Sequence, residues 1–285
     1  MNKVYACIDG LDTSNAVIDW AAWSAQRLQV PLELLHVLER HPERAVASDY
    51  SGAIGLGAQE LLLQELSALD AQRSKLAQEA GRQLLADARA RAAASGVVQL
   101  DGRLRHGELV DAVLDVEPDA RLFVLGEHYH ASQPRKIHLD HHVERVIRSV
   151  QRPVLVVTRA RFAPPERVVM AFDGSPTARK TVDTIASSPL LQGLPVMLAM
   201  AGDATPQAQM QLEEARQALT KAGFEASAEH LRGEPEVVLP GLVKDQGHAL
   251  LVMGAYGHSR IRQFLVGSTT TTLLRLSEAP VLILR

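Results

Sequence analysis

The stretch of sequence that decides the fold is Ala249-Leu-Leu-Val-Met-Gly-Ala-Tyr-Gly257, which is followed after nine further residues by Gly267-Ser-Thr-Thr270. The apolar run predicts a short buried strand, the glycines predict a loop without side-chain bulk, and the Ser/Thr run is typical of a helix start. A helix N-terminus presents unpaired backbone N–H groups, and glycines let an anionic ligand approach them closely. The stretch therefore predicts either a phosphate-binding loop or an ordinary capped helix after a strand.

The chain contains a second, altered copy of the same half. The first half has Val4-Tyr-Ala-Cys-Ile-Asp-Gly10 where the second half has Val168-Val-Met-Ala-Phe-Asp-Gly174. Likewise, the first half has Arg152-Pro-Val-Leu-Val-Val157 where the second half has Ala279-Pro-Val-Leu-Ile-Leu284. A repeat of this size predicts two similar domains rather than a solenoid. The paired prolines Pro164 and Pro165 suit a short connector, so we predict domains at residues 1–160 and 161–285.

Strand-like and helix-like periods alternate through both halves. This alternation predicts an α/β fold in which each half forms an open five-stranded parallel sheet with helices on both faces. The predicted strands are 4–8, 32–38, 97–100, 122–125 and 154–157 in the first half, and 168–172, 196–200, 226–231, 249–253 and 281–284 in the second. A helix is expected over 14–28, capped near Thr13 or Ser14, and a long helix over 58–94.

Each half resembles a universal stress protein domain, and the whole chain resembles a tandem two-domain member of that family. The family's nucleotide motif, Gly-x2-Gly-x9-Gly-Ser/Thr, is met by Gly254, Gly257, Gly267 and Ser268. The resemblance implies an adenine nucleotide alpha hydrolase-like fold and a role in the stress response. It also implies that the terminal strands of the two halves pair with each other, so that the chain forms an intramolecular pseudo-dimer.

By the same resemblance, the second half binds ATP, with Mg²⁺ as a candidate companion ion. The implied nucleotide-binding residues lie at the ends of three predicted strands and in the motif itself: Ala171, Phe172, Asp173, Met200, Met253, Gly254, Gly257, His258, Gly267, Ser268, Thr269 and Thr270. Two of them have an ordinary alternative. Asp173 is also the residue type that forms an Asx turn, and Met200 is of a type that usually fills a core.

The first half departs from the motif. Gly126 is followed by Glu127-His-Tyr-His130, and Asp140 stands where the first residue of the Gly-Ser pair is expected. An acidic side chain at that place repels phosphate, so the sequence predicts a degenerate first site. Histidines crowd the same segment, and His128, His130 and Asp140 together offer a zinc-site hypothesis. A solvated loop and a pH-sensitive contact are the alternatives, and the metal stays unknown.

Two further patterns concern packing. Leu62, Leu66, Leu69, Leu76 and Leu84 fall on one face of the long helix, which indicates a core-facing stripe more readily than a partner-binding one. The extra length of this helix leaves room for a homodimer contact. Cys7 is the single cysteine of the chain and lies within a predicted strand, so we expect a buried structural thiol.

Composition limits the class of protein. The 285 residues carry a net charge of −3 without a basic block, which argues against nucleic acid as a partner. No apolar stretch reaches the roughly 20 residues that span a bilayer, so we expect no membrane partner and a cytoplasmic protein. Neither a Walker lysine nor a nucleophile–base pair is evident, so we predict a regulatory nucleotide-binding protein with an unidentified protein partner and at most slow ATPase activity. The alternatives are a non-nucleotide ligand carrier or scaffold and, least favoured, a small-molecule enzyme.

Overall fold

The computed structural model describes residues 2–39, 56–127, 141–254 and 268–285, without the side chains of 56–63 and 268–269. The first half contains β1 (Lys3–Ile8), α1 (Ser14–Leu28), β2 (Leu32–Leu38), α2 (Leu56–Ala94), β3 (Leu100–His106), α3 (Leu109–Val116), β4 (Ala120–Gly126), α4 (His141–Ser149) and β5 (Val154–Val157). The second half contains β6 (Arg167–Ala171), α5 (Pro176–Ala186), β7 (Val196–Ala201), α6 (Pro206–Lys221), β8 (Ala226–Leu231), α7 (Pro235–Asp245), β9 (Ala249–Gly254), α8 (Ser268–Leu276) and β10 (Val281–Leu284).

The ten strands form one sheet in the order β3-β2-β1-β4-β5-β10-β9-β6-β7-β8. All strands within a half are parallel, whereas β5 and β10 pair antiparallel at the centre, with Leu155 opposite Leu282. The predicted fold class is therefore confirmed, including the pseudo-dimer, because the two five-stranded sheets join through their last strands.

Helices cover both faces of this sheet, since alternate residues of a buried strand point to opposite sides. Leu282 and Leu284 pack into the core beneath α1, α2, α5 and α6. Val281 and Ile283 pack into the core beneath α3, α4, α7 and α8. Among the described residues, no helix combines the length and the apolar character needed to span a bilayer.

Side chains of α1 also join the halves outside the sheet. The Trp20 ring meets the Phe162 ring of the connector edge-on, with centroids 5.1 Å apart. The Arg27 guanidinium donates through Nε to the carbonyl oxygen of Leu190, at 2.6 Å. The two halves thus share apolar and polar contacts on this face of the sheet.

The caps of the helices follow the chemistry of the residues before them, with one correction. Ser175 and Thr205 accept hydrogen bonds from the backbone N–H groups three residues on and so cap α5 and α6, each followed by proline. Thr13 is the N-cap residue of α1, at the predicted place, but its side chain makes no cap hydrogen bond. The Ser14 hydroxyl instead accepts from the backbone N–H of Gly10, at 2.8 Å, and donates to the carboxylate of Asp9.

Strand β3 begins at Leu100, three residues later than predicted. Leu100 is paired with Leu32, the first residue of β2. The apolar residues Val97 and Val98 come before the point at which β2 offers a partner, and Val98 is 94% exposed. An apolar dipeptide therefore does not suffice for a strand where the neighbouring strand has not begun.

The interpretation of the leucine stripe of α2 as core is wrong for Leu66, Leu69 and Leu76, which are 40%, 49% and 64% exposed. Leu84 packs partly against the core, and the Leu62 side chain lies outside the described residues. The 39 residues of α2 extend about 58 Å, whereas the 7 residues of β3 extend about 23 Å. Only the C-terminal part of α2 can cover the sheet, so the leucines of its N-terminal part have no core beneath them.

Cys7 is buried, as the sequence predicts. Burial raises the pKa of its thiol to about 12, and the nearby Asp9 carboxylate acts in the same direction.

Candidate functional site

The second half has a topological switch point at the carboxyl end of β6. This strand lies between β7, which follows it in the chain, and β9 on its other side. Residues Ala171–Asp173 and Met253–Gly254 therefore end adjacent parallel strands at the same edge of the sheet. Open α/β sheets bind ligands in the crevice that such a reversal of strand order creates.

Asp173 forms the turn between β6 and α5. Its Oδ1 accepts a hydrogen bond from the backbone N–H of Ser175, at 3.0 Å, and Gly174 has a φ of 72°. The side-chain cap of α5 comes from Ser175, not from Asp173. Asp173 thus forms the Asx turn that the sequence analysis gave as the alternative to a ligand contact. Its side chain is also exposed at the edge of the sheet.

Gly254 ends β9 where this strand lies against α5. A Cβ atom on Gly254 would lie 2.9 Å from Thr177 Cγ2 and 2.9 Å from Thr181 Oγ1. Such distances are shorter than ordinary contacts, so the absence of a side chain lets the strand end lie against the helix. The Thr181 hydroxyl donates to the carbonyl oxygen of Thr177, at 3.0 Å, which fixes its direction.

Three other predicted site residues are buried. Phe172 and Met200 belong to the core under α5 and α6, and Met253 belongs to the core on the opposite face. Each is no more than 4% exposed, and Ala171 is half-buried. Their side chains therefore belong to the cores on the two faces of the sheet, and a direct contact of any of them with a ligand stays a prediction.

Helix α8 begins at Ser268, the last residue of the nucleotide motif, and its Thr270 is half-buried. Gly257, His258 and Gly267 lie outside the described residues, as do the side chains of Ser268 and Thr269. The described part of the motif thus consists of the end of β9 and the start of α8.

Comparison with known proteins identifies the family. The model of the universal stress protein family matches residues 1–158 and 165–285. The chain belongs to the universal stress protein family. A relative named universal stress protein Slr1230, from Synechocystis sp. (strain ATCC 27184 / PCC 6803 / Kazusa), is 35% identical over 288 residues, with all of both chains covered.

Solved structures of universal stress proteins match as well. One from Archaeoglobus fulgidus DSM 4304 covers 100% of this chain and 98% of its own at a TM-score of 0.75 and 16% identity, which shows a shared fold. A universal stress protein solved in complex with cAMP covers 43% of this chain and 98% of its own, at 27% identity and a TM-score of 0.38.

The first universal stress protein domain has apolar packing at the equivalent edge. Gly10 corresponds to Gly174, and the Leu84 side chain lies 3.5 Å from where its Cβ would be. His36 occupies the position of Met200 and is bonded through Nδ1 to the carbonyl oxygen of Ile8, at 2.7 Å. Leu84 and this bonded imidazole thus lie at the carboxyl edge of the first domain.

The histidine segment is only partly described. His128, His130, His138 and Asp140 lie outside the described residues, so the zinc hypothesis on them stays a prediction. His142 Nδ1 lies 3.3 Å from Glu39 Oε1. Within the described ranges, no three His, Cys, Asp or Glu side chains are grouped as metal ligands.

The sequence analysis missed three polar residues at the carboxyl edge of the second domain's strands: Thr177, Thr181 and Gln211. The two threonines face Gly254, and the Gln211 amide lies directly against Gly174. A threonine one helical turn from another, just after the Asp-Gly-Ser turn, is a signal that could have identified the first two. Nothing in the local sequence places Gln211 on α6 beside a glycine that precedes α5.

Proposed function

We propose that the second domain, residues 161–285, binds one adenine nucleotide, ATP, and that the protein is a nucleotide-responsive regulator of the stress response. The observation that carries the proposal is the coincidence of motif and structure: β9 ends at Gly254, where the motif begins, and α8 begins at Ser268, where it ends. A strand, a glycine loop and a helix N-terminus in this order form a phosphate-binding arrangement.

Each part of the edge has a role in this proposal. The N-terminus of α8 supplies backbone N–H groups and the positive end of a helix dipole to the phosphates. In this proposal the backbone at Gly254, Gly257 and Gly267 contacts the phosphates, together with the hydroxyls of Ser268, Thr269 and Thr270 and the His258 imidazole. The exposed Asp173 carboxylate is the acceptor for a ribose hydroxyl or the adenine edge, and it is an oxygen ligand of the kind that Mg²⁺ prefers.

We assign a regulatory role rather than catalysis to this site. Fast phosphoryl transfer needs a group that orients the attacking water and a charge that stabilises the moving phosphoryl group. The motif ends in Gly267-Ser268 and not in the Gly-Lys pair of a P-loop. Fast turnover that Asp173→Ala abolishes, with ATP binding retained, would contradict the regulatory role.

The first domain, residues 1–160, serves in this proposal as a structural or protein-contact partner within the cytoplasm. Leu84 covers Gly10 on the first edge, whereas the amide of Gln211 lies against Gly174 on the second. A polar neighbour suits a hydrogen-bonding ligand, and a leucine excludes one. We therefore place the nucleotide in the second domain alone.

Nucleotide release from freshly purified protein tests the proposal. We expect about one adenine nucleotide per chain, and we expect Gly267→Asp to lose it, because a carboxylate at the helix start repels phosphate. Gly241→Asp is the matched control, since it adds the same charge at an exposed position with open space around it. We expect this control to retain the nucleotide.

Titration calorimetry with ATP and cAMP completes the test. Wild-type protein that releases no nucleotide and gives no heat with either ligand would favour a non-nucleotide carrier or scaffold. Loss of nucleotide in Gly241→Asp as well would show that added charge anywhere on the surface weakens binding, and the site assignment would then fail.

A further inference from the structure

Two cavities adjoin on the α1 and α5 face of the sheet, where the two domains meet. One has a volume of about 500 Å³ and the other about 370 Å³, and they share Leu28 and Arg121 as lining residues. Volumes of this size suit small-molecule ligands. None of the residues proposed for nucleotide binding lines either cavity.

The smaller cavity is cationic. Arg121 and Arg152 of the first domain and Lys180 of the second line it, together with a single acidic residue, Asp183. No ion pair holds any of these three cations within the described residues. Three cations and one carboxylate leave this cavity with a net positive charge, which favours an anionic ligand.

Two of the three hydroxyl side chains that line this cavity do not compete with the cations as donors. Thr184 donates to the carbonyl oxygen of Lys180, at 2.8 Å, and Ser187 donates to that of Asp183, at 3.0 Å. Both hydroxyl protons are engaged by the α5 backbone. The donors available to a ligand are therefore mainly the guanidinium and ammonium groups, which suit a carboxylate or a phosphate.

The larger cavity has an apolar wall. It is lined by Val30, Pro31, Val97 and Pro189 as well as Leu28 and the exposed Val98. Val98 precedes β3 and is 94% exposed, so covering it with an apolar group removes hydrocarbon surface from water. The two cavities together thus present an apolar groove that leads to a cationic end.

We propose that these adjoining cavities bind an amphipathic anion, an alkyl or acyl chain that ends in a carboxylate or phosphate. The head group lies between Arg121, Arg152 and Lys180, and the chain lies along Leu28 and Val98. The charged and apolar parts of such a ligand each meet a matching surface, which a compact polar anion or an uncharged amphiphile does not. Because both domains supply cations, the ligand bridges the junction between them.

Calorimetric titration of the full chain with decanoate and decyl phosphate tests the proposal, with uncharged decyl maltoside as the comparison ligand. We expect both anions to bind and decyl maltoside to bind at least about tenfold more weakly. Arg121→Gln should weaken binding of the anions by about fivefold or more, whereas Lys221→Gln, which changes an exposed cation that lines neither cavity, should not. Val98→Asp should weaken them similarly, with the exposed Val237→Asp as its control.

The comparison of the two head groups separates the two sources of the anion, because decanoate represents a fatty acid and decyl phosphate a phosphorylated lipid fragment. All four variants change exposed side chains, and unchanged thermal unfolding would show that they fold. Absence of binding, equal binding of decyl maltoside, or anion binding that neither Arg121→Gln nor Val98→Asp weakens would overturn the proposal. Displacement of decanoate by ATP would also overturn the proposal, since decanoate would then occupy the site proposed for the nucleotide. The result is independent of whether ATP itself binds.

Discussion

Gly126→Ala is expected to lower the free energy of unfolding by about 2–3 kcal/mol. Gly126 ends β4 and is buried against α1. An added Cβ would overlap the Thr13 hydroxyl, and it would lie 3.1 Å from Thr13 Cβ and 3.2 Å from Val17 Cγ2. Thr13 is only 3% exposed, so α1 has little room to move away. Urea denaturation with an unchanged m-value is the measurement.

Two other glycines provide matched controls for this prediction. Gly241 lies within α7 with open space at its Cβ, so Gly241→Ala should stabilise the protein by about 0.5–1 kcal/mol. Gly254 is the equivalent of Gly126 but meets side-chain atoms that are farther away, at 2.9 Å. We therefore expect Gly254→Ala to destabilise less than Gly126→Ala.

A double-mutant cycle identifies the clash itself. Thr13→Ala removes the hydroxyl that the new Cβ would meet, so it should recover part of the stability lost in Gly126→Ala, and the two changes should not be additive. If Gly126→Ala matched the wild type in stability, or if the two changes were additive, the close approach of β4 to α1 would not be the constraint that we describe.

Much of the fold could be predicted because its strands are short buried runs with clear ends. The strands β2, β5, β8 and β10 have the predicted bounds, and so has α1. Proline precedes three of these strands, at Pro31, Pro153 and Pro280, and marks where each begins. Local chemistry sets these boundaries, so local reasoning finds them.

The errors occurred where a distant partner decides the outcome. Val97 and Val98 resemble a strand, but pairing with β2 starts only at Leu100. Leu66 and Leu69 are spaced as a core stripe, but the sheet does not extend beneath them. Ser14 has the chemistry of a cap, but its hydroxyl bonds to the Asp9–Gly10 turn. In each case the competing contact comes from outside the segment.

Some residues of the candidate site could likewise be predicted from the local sequence, and others could not. The motif places Gly254 at a strand end and Ser268 at a helix start from sequence alone, and both placements agree with the bounds of β9 and α8. Gln211 comes to the same edge only because α6 packs against α5. Residues that belong to one loop can be read from the sequence, whereas residues that reach the site from neighbouring helices require the topology.

Raising the pH from 9 to 12 is expected to lower the free energy of unfolding by up to about 4 kcal/mol through Cys7. Burial raises the pKa of the Cys7 thiol in the folded protein from its ordinary value of 9.0 to about 12. The unfolded chain therefore loses this proton first as the pH rises, and it binds fewer protons than the folded chain across this window. Stability contributed by the neutral thiol is complete below pH 9 and is lost as the pH approaches 12.

Cys7→Ala isolates this contribution. The variant loses some packing at every pH, but its free energy of unfolding should fall less steeply above pH 9, by up to about 1.4 kcal/mol per pH unit. Denaturation curves of the two proteins at several pH values measure the difference. Equal slopes would mean that the folded protein releases the thiol proton near its ordinary pKa, and Cys7 would then be accessible to water.

Tyr5 is expected to cause a second loss of unfolding free energy in the same experiment, which begins at a higher pH. Burial first, and the nearby Glu33 carboxylate second, raise its pKa from 10.0 to about 12. Its ring packs against that of Phe123 with centroids 5.7 Å apart, and Tyr5→Phe keeps this contact while it removes the ionisable hydroxyl. We expect Tyr5→Phe to flatten the pH dependence only above pH 10, whereas Cys7→Ala flattens it from pH 9. Because the two groups begin to titrate at different pH in the unfolded chain, the onset of each effect identifies the group responsible.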